Sequence, residues 1–405
     1  MLKKTLLLLL SSFFILIPVY GQKAVTITPV ADLLGQPMKQ LDAKNISKAY
    51  QSIPICGKKG TYACPRIHQL LFNEVVTILE EKNNEVRIQL PNLFFQTNKD
   101  NTLYNTYWTL KKNLISFEAL KKKDINLAHI PMPIMYDTQK NEPQKIVTLI
   151  DPYKEQKTGL SFSAGTRFIK AKQNQESIDV YALNPKIMKI ITITIPQKIC
   201  IEPNSLSNQQ KQSLFVQLLK QWANKSTGFI PYVWGGCSFM NLCNTDSFSL
   251  QESKLYKNEV STFFKRTDIP NPYAGFDCAG LISRATQLCG IPYFYKNTTT
   301  LGKNLTPLSP NQKLSAGDLV WLPGHVMVVG DLKKNTIIEA RHYSHGYGKL
   351  HEIPVNSIFK GINNLAQLQQ AFFEKKPLKR LAINQKVVQT INEFKLLRLA
   401  SVWEK

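Results

Sequence analysis

Apolar and polar residues alternate in short runs over the first half of the chain. Four such runs cover residues 75–79, 86–90, 145–150 and 189–195, and turn-forming residues separate them. A period of two is typical of half-buried β-strands, because successive side chains of a strand point to opposite faces. The pattern predicts small all-β domains of the barrel or sandwich type.

The period changes to that of a helix after residue 277. Asp277 is a good N-cap, and apolar residues then recur at helical spacing until a glycine and a proline end the segment: Cys278, Leu281, Ile282, Ala285, Leu288, Cys289, Gly290 and Pro292. Cys278 therefore lies in the first turn. The helix dipole and unpaired N–H groups there favour a thiolate, so we expect a lowered thiol pKa and a nucleophilic cysteine. A buried structural cysteine is the alternative.

A candidate base follows 47 residues later. Residues 326–329 and 336–340 have the composition of two strands, and residues 331–335 have that of the turn between them. A symmetric hairpin pairs Gly330 with Thr336 and puts residue 341 opposite His325. Glu339 then lies on the same face as His325 and can orient its ring. His342 is the rival for this role, but it needs a bulge or a slip of one residue.

The beginning of the chain resembles an export signal. Lys3 and Lys4 precede an apolar run at 5–19, and small residues follow, so residues 1–21 are predicted to be a cleavable secretory signal. The run is short for a membrane span, and we expect a monomeric periplasmic or secreted protein with no integral membrane segment after cleavage. Seven cysteines in such a compartment suit one free nucleophile and up to three disulfides.

Basic residues outnumber acidic ones, with 51 Lys and Arg against 28 Asp and Glu and a net charge of +23. An anionic partner fits this balance. Export and the lack of a basic helix argue against nucleic acid, whereas the carboxylates of cell-wall peptides would attract a positive enzyme. A lysine-rich solvated surface without a partner is the alternative. No cofactor or metal site is indicated.

Four motifs in order resemble the NlpC-type cell-wall peptidases, which are papain-like cysteine enzymes. The motifs are Pro231-Tyr232-Val233-Trp234-Gly235-Gly236, Phe276-Asp277-Cys278-Ala279-Gly280, Ala316-Gly317-Asp318-Leu319-Val320 and Gly324-His325-Val326. The resemblance covers roughly the last 200 residues well. It implies an α+β fold in which the helix that carries the nucleophile packs on a small antiparallel sheet that carries the base.

The resemblance also implies domains and roles. It divides the chain into a signal peptide (1–21), an N-terminal segment with a first Src-homology-three-like barrel (22–135), a second such barrel (136–205) and the peptidase domain (206–405) with an insertion at 237–275. Cys278 and His325 would be catalytic, the Tyr232 hydroxyl would stabilise the oxyanion, and Asp277 and Glu74 would hold the free amine of a stem peptide.

Two features depart from the family. Relatives usually have serine where this chain has Ala279, and histidine or another polar residue where it has Glu339. The resemblance implies hydrolysis of peptidoglycan stem peptides, at the amide between the γ-carboxyl of D-glutamate and the diamino acid. A wall-binding protein without activity, and an amidase or acyltransferase that acts on another amide, are the alternatives.

Overall fold

The computed structural model describes residues 21–38, 43–55, 64–96, 102–133, 145–203, 206–243, 273–343 and 347–404. Residues 1–20 of the predicted signal and residues 244–272 of the predicted insertion lie outside this description. The described part combines helices with antiparallel sheets, so it is of the mixed α and β class.

The first sheet has seven strands in the order β3-β2-β6-β5-β4-β1-β7. They are β1 (Gln22–Thr26), β2 (Val30–Leu34), β3 (Arg66–Leu71), β4 (Val75–Lys82), β5 (Glu85–Gln89), β6 (Thr106–Leu110) and β7 (Leu114–Ser116), with helices α1 (Ala43–Gln51) and α2 (Phe117–Lys121) between or after them. The strands predicted at 75–79 and 86–90 are confirmed as β4 and β5. Their alternation places one apolar face on a core that includes Val76, Val86 and Ile88.

A second sheet has the order β13-β12-β11-β8-β14, beside a two-stranded β10-β9 ribbon. The sheet consists of β8 (Ile146–Leu149), β11 (Arg167–Gln173), β12 (Ser177–Asn184), β13 (Lys189–Pro196) and β14 (Cys200–Ile201). The ribbon consists of β9 (Tyr153–Lys154) and β10 (Ser161–Phe162). The runs at 145–150 and 189–195 are confirmed as β8 and β13. The assignment of both sheets to Src-homology-three-like barrels stays a prediction.

The third sheet is antiparallel, with the order β20-β19-β18-β17-β23. The remaining strands are β15 (Cys237–Ser238), β16 (Gly275–Phe276), β17 (Leu319–Leu322), β18 (His325–Val329), β19 (Thr336–Arg341), β20 (Lys349–Pro354), β21 (Leu378–Leu381), β22 (Val387–Ile391) and β23 (Lys395–Leu397). The helices are α3 (Asn208–Ala223), α4 (Cys278–Leu288), α5 (Thr298–Asn304) and α6 (Leu365–Phe373). The segment near residue 396 thus completes this sheet.

The helix that begins at Cys278 packs between α3 and the third sheet. Leu281, Ile282 and Ala285 of α4 share a buried cluster with Val326 and Val328 of β18. In the same cluster, Trp222 of α3 stacks on Phe276, with ring centroids 5.2 Å apart. Burying each large side chain stabilises the fold by about 1.5–3 kcal/mol, so this packing holds the first turn of α4 firmly against the sheet.

The cysteines of the described segments form no disulfide. Cys64, Cys200, Cys237, Cys243, Cys278 and Cys289 are all free thiols. The sulfur of Cys237 lies 3.3 Å from the carbonyl oxygen of Gly280, and Cys289 is buried in the core. Of the up to three disulfides that the sequence allows, none joins two of these residues. Within the same segments, no helix has the length and apolarity that crossing a membrane requires.

Candidate active site

Asp277 caps the helix that presents Cys278. Its Oδ1 accepts a hydrogen bond from the N–H of Gly280 at 2.5 Å, and its Oδ2 accepts one from the N–H of Gly235 at 2.9 Å. The second bond ties the motif around Gly235 to the start of the helix that carries Cys278. Gly280 is required here, because a Cβ at this position would lie 2.0 Å from the carbonyl oxygen of Gly236.

The thiol of Cys278 lies in the first turn, as the sequence predicts, but it is only 8% exposed. Burial, and to a smaller extent the negative charge of Asp277, raise its pKa to about 12. The N–H groups of Val326 and Ala279 and the charge of Lys296 oppose it. The expectation of a lowered pKa is therefore wrong, because the cost of burying a charge exceeds the help from the helix terminus. Cys278 is a neutral thiol at neutral pH.

The hairpin register brings Glu339 to His325. Val328 pairs with Ile338, Val329 pairs with Ile337, and Gly330 donates to Thr336, which is the register that the sequence predicts. The Nε2 of His325 lies 2.6 Å from Oε2 of Glu339. Since the N–H of Val326 donates to the sulfur of Cys278, the thiol lies beside the strand that carries His325.

His325 is neutral in this setting. Burial first, and then the positive charge of Arg380, lower its pKa to about 4, although the bond to Glu339 works in the opposite direction. A neutral imidazole can accept a proton from a neutral thiol. At rest, the thiol of Cys278 and the imidazole of His325 are therefore both neutral.

Two arginines and a second histidine surround Glu339. Its Oε2 accepts a bond from Arg380 at 2.7 Å, while its Oε1 is 3.6 Å from Arg341 and 3.3 Å from Nε2 of His351. Burial alone would raise the pKa of Glu339, but Arg380 and Arg341 hold it well below its usual range. The carboxylate thus stays charged although it is fully buried.

His342 occupies a different place. Its ring packs edge to face on Tyr232, with centroids 5.2 Å apart, and on Tyr343 at 5.9 Å. It lines one cleft with His325 and Arg380, although it does not take the position of Glu339 on the ring of His325. Tyr232 forms a parallel bridge with Phe276, which lies two residues before Cys278.

Glu74 lies at the junction between the first sheet and the nucleophile helix. Its Oε1 is 2.6 Å from Arg284 of α4 and 3.3 Å from the amide of Gln287, and its Oε2 accepts from the N–H of Leu71 at 3.0 Å. The predicted amine ligand therefore holds a buried guanidinium of the chain itself. Its role toward a substrate stays a prediction.

Sequence reasoning missed three charged residues of this region: Arg284, Lys296 and Arg380. Each is almost completely buried, and each contacts a carboxylate that the motifs had singled out. Arg284 interrupts the apolar stripe of α4, and Lys296 follows three aromatic residues, so a charge within an apolar stretch was the available signal. Arg380 belongs to β21, and no comparable signal in the sequence singled it out.

Neither a protein-family model nor a curated protein matches the chain. Solved structures do. An NlpC/P60 family protein from Bacillus cereus superimposes with a TM-score of 0.52 and 16% identity, over 82% of this chain and 94% of the other. NlpC2 from Trichomonas vaginalis gives a TM-score of 0.31 and 11% identity, over 83% and 94% of the two chains. The peptidoglycan hydrolase RipB from Mycobacterium tuberculosis gives a TM-score of 0.23 and 21% identity, over 40% of this chain and 67% of the other.

The Bacillus cereus likeness shows that this chain has an NlpC/P60-type fold. It confirms the predicted fold type of the nucleophile helix and its sheet.

Proposed function

We propose that the protein is an exported cysteine peptidase that hydrolyses peptidoglycan stem peptides, at the amide between D-glutamate and the diamino acid. The arrangement of Cys278, His325 and Glu339 carries this proposal. A thiol at a helix start, an imidazole on the adjoining strand and a carboxylate 2.6 Å from the far ring nitrogen have the roles of nucleophile, base and orienting group.

The chemistry follows from neutral resting groups. As the sulfur of Cys278 attacks the amide carbonyl, its proton passes to Nδ1 of His325. The charge of Glu339 stabilises the imidazolium that forms, and the tight bond between them fixes the ring. The N–H of Cys278 and the hydroxyl of Tyr232 are proposed to stabilise the oxyanion. His325 then protonates the leaving amine, and water hydrolyses the thioester.

Peptidoglycan is the proposed partner, and the periplasm or the extracellular space is the proposed location. The net charge of +23 supports an anionic polymer as substrate, and the leader at 1–21 supports export. We propose that the protein acts as a monomer and does not bind nucleic acid.

Digestion of purified peptidoglycan tests the proposal. The mature protein and its Cys278→Ala variant are incubated with the polymer, and the released fragments are identified by mass spectrometry. New amino groups on the diamino acid, formed by the wild type alone, are the expected result. Cleavage at a different amide would indicate that the protein is an amidase of another specificity. A product that carries an added amine would indicate acyl transfer.

A wall-binding protein without activity is the second candidate. The raised pKa of Cys278 and the alanine at 279 favour it, because a protonated thiol and a missing hydroxyl both reduce catalysis. Retention on peptidoglycan by wild type and Cys278→Ala alike, with no released fragments, would be its signature.

A further inference from the structure

A buried lysine holds the carboxylate beside the nucleophile. Lys296 is 2% exposed, and its Nζ lies 3.3 Å from Oδ2 and 3.4 Å from Oδ1 of Asp277. The main chain fixes the lysine, because its N–H donates to the carbonyl of Phe94 at 2.8 Å, and the N–H of Phe94 donates to Phe294 at 2.8 Å. The lysine is therefore built into the contact between the first sheet region and the segment after α4.

Asp277 has no acceptor position left for a ligand. A carboxylate offers about four lone-pair sites. Oδ1 already accepts hydrogen bonds from the N–H of Gly280 and from Lys296, and Oδ2 accepts them from the N–H of Gly235 and from the same lysine. An ammonium group of a substrate would have to displace Lys296 or lie beside it with the same charge, which costs several kcal/mol at a buried contact.

Glu74 is similarly occupied. Arg284, Gln287 and the N–H of Leu71 take three of its acceptor positions, and the arginine is completely buried. The two carboxylates that the motifs assign to a substrate amine thus each hold a cation of the chain itself.

Two buried neutral groups near this ion pair have no hydrogen-bond partner among the described residues. They are Nδ1 of His68 and the hydroxyl of Tyr293, and both line one groove together with Glu74. Burial, the charge of Lys296 and that of Arg284 hold the pKa of His68 well below its usual range, so its ring is neutral. Burial raises the pKa of Tyr293 well above its usual range, and the nearby negative charge of Asp277 adds to the rise, so its hydroxyl is neutral. Neutral donors and acceptors of this kind suit an amide.

We propose that Lys296 sets the specificity of the site, which accepts peptides whose first nitrogen is acylated and rejects those with a free ammonium there. The substrate class is then a stem peptide that is still amide-linked at its first residue. This inference rests on the proposed function and narrows it. Lys296 supplies internally the charge that an ammonium would bring, and the uncharged groups of His68 and Tyr293 remain for the amide.

The test compares L-Ala-γ-D-Glu-diaminopimelate with the same peptide acetylated at its amine. The wild type should cleave the acetylated peptide with a kcat/KM at least about tenfold higher. Lys296→Met removes the charge with little change in length and should lower that ratio at least about tenfold. Lys296→Arg keeps the charge and should keep the preference. Preference of the wild type for the free amine, or an unchanged ratio in Lys296→Met, would overturn the inference.

Calorimetry separates this inference from the proposed function. If neither peptide is cleaved, the proposed peptidase activity toward them fails, and binding of both peptides to the Cys278→Ala variant decides the specificity. Tighter binding of the acetylated peptide would support the role of Lys296. Equal binding, tighter binding of the free amine, or no binding of either would overturn it. The wild-type ratio remains decisive if Lys296→Met does not fold.

Discussion

The carboxylate of Glu339 lies 2.6 Å from Nε2 of His325, and the same oxygen accepts a bond from Arg380 at 2.7 Å. This relationship explains how a buried glutamate can stay charged beside a neutral imidazole. The arginine compensates the carboxylate, and the carboxylate holds the ring.

Removing the charge of Glu339 should destabilise the protein. Glu339→Gln leaves Arg380 and Arg341 buried without their counter-charge, so we expect a loss of about 3–5 kcal/mol in the free energy of unfolding. Urea denaturation measures the loss. In the double variant Glu339→Gln with Arg380→Gln, part of the stability should return. Additive losses would show that the two residues are not coupled.

Activity should distinguish Glu339 from His342. His342→Phe keeps a ring against Tyr232, and we expect cleavage within about threefold of the wild type, because Glu339 is the residue that bonds Nε2 of His325. Glu339→Gln should lower kcat at least about 100-fold, since the imidazolium loses its stabilising charge. A larger loss from His342→Phe than from Glu339→Gln would make His342 the third catalytic residue.

Cys278 should react slowly with alkylating agents in the absence of substrate. Burial raises its pKa to about 12, so very little thiolate exists at pH 7. Labelling by iodoacetamide, followed by peptide mass spectrometry, should be slower than labelling of free cysteine. Cys64 is partly exposed and provides an internal comparison. Faster labelling of Cys278 than of free cysteine would show that the resting thiol is ionised and would contradict the raised pKa.

Mild acid should weaken the fold. Burial lowers the pKa of His325 and His342 to about 4 from a usual 6.5, and it lowers those of His68 and His351 as well. The unfolded chain therefore binds more protons between these values, and the free energy of unfolding falls as pH drops from 6.5 toward 4. Asp318 opposes this, because burial raises its pKa to about 6.

Burial also raises the pKa of Glu85, and four histidines outweigh these two carboxyl groups in that window. The urea midpoint should consequently be lower at pH 5 than at pH 7. A higher midpoint at pH 5 would mean that the histidines are protonated in the folded protein.

Local patterns predicted much of the site. The N-cap and apolar spacing predicted α4, and the turn at 331–335 predicted the register that brings Glu339 to His325, because both features depend on nearby residues. Lys296 and Arg380 reach the site through contacts between distant segments, which no local pattern encodes. The thiol pKa was mispredicted for the same reason, since burial depends on the whole packed structure.

Release of diaminopimelate from N-acetyl-L-Ala-γ-D-Glu-diaminopimelate is the most direct test of the central claim. The wild type and Cys278→Ser are compared at equal concentration after both are shown to be folded. We predict release by the wild type and none above background by the variant. Equal release by both, or no release by the wild type from either this peptide or its free-amine form, would contradict catalysis by Cys278.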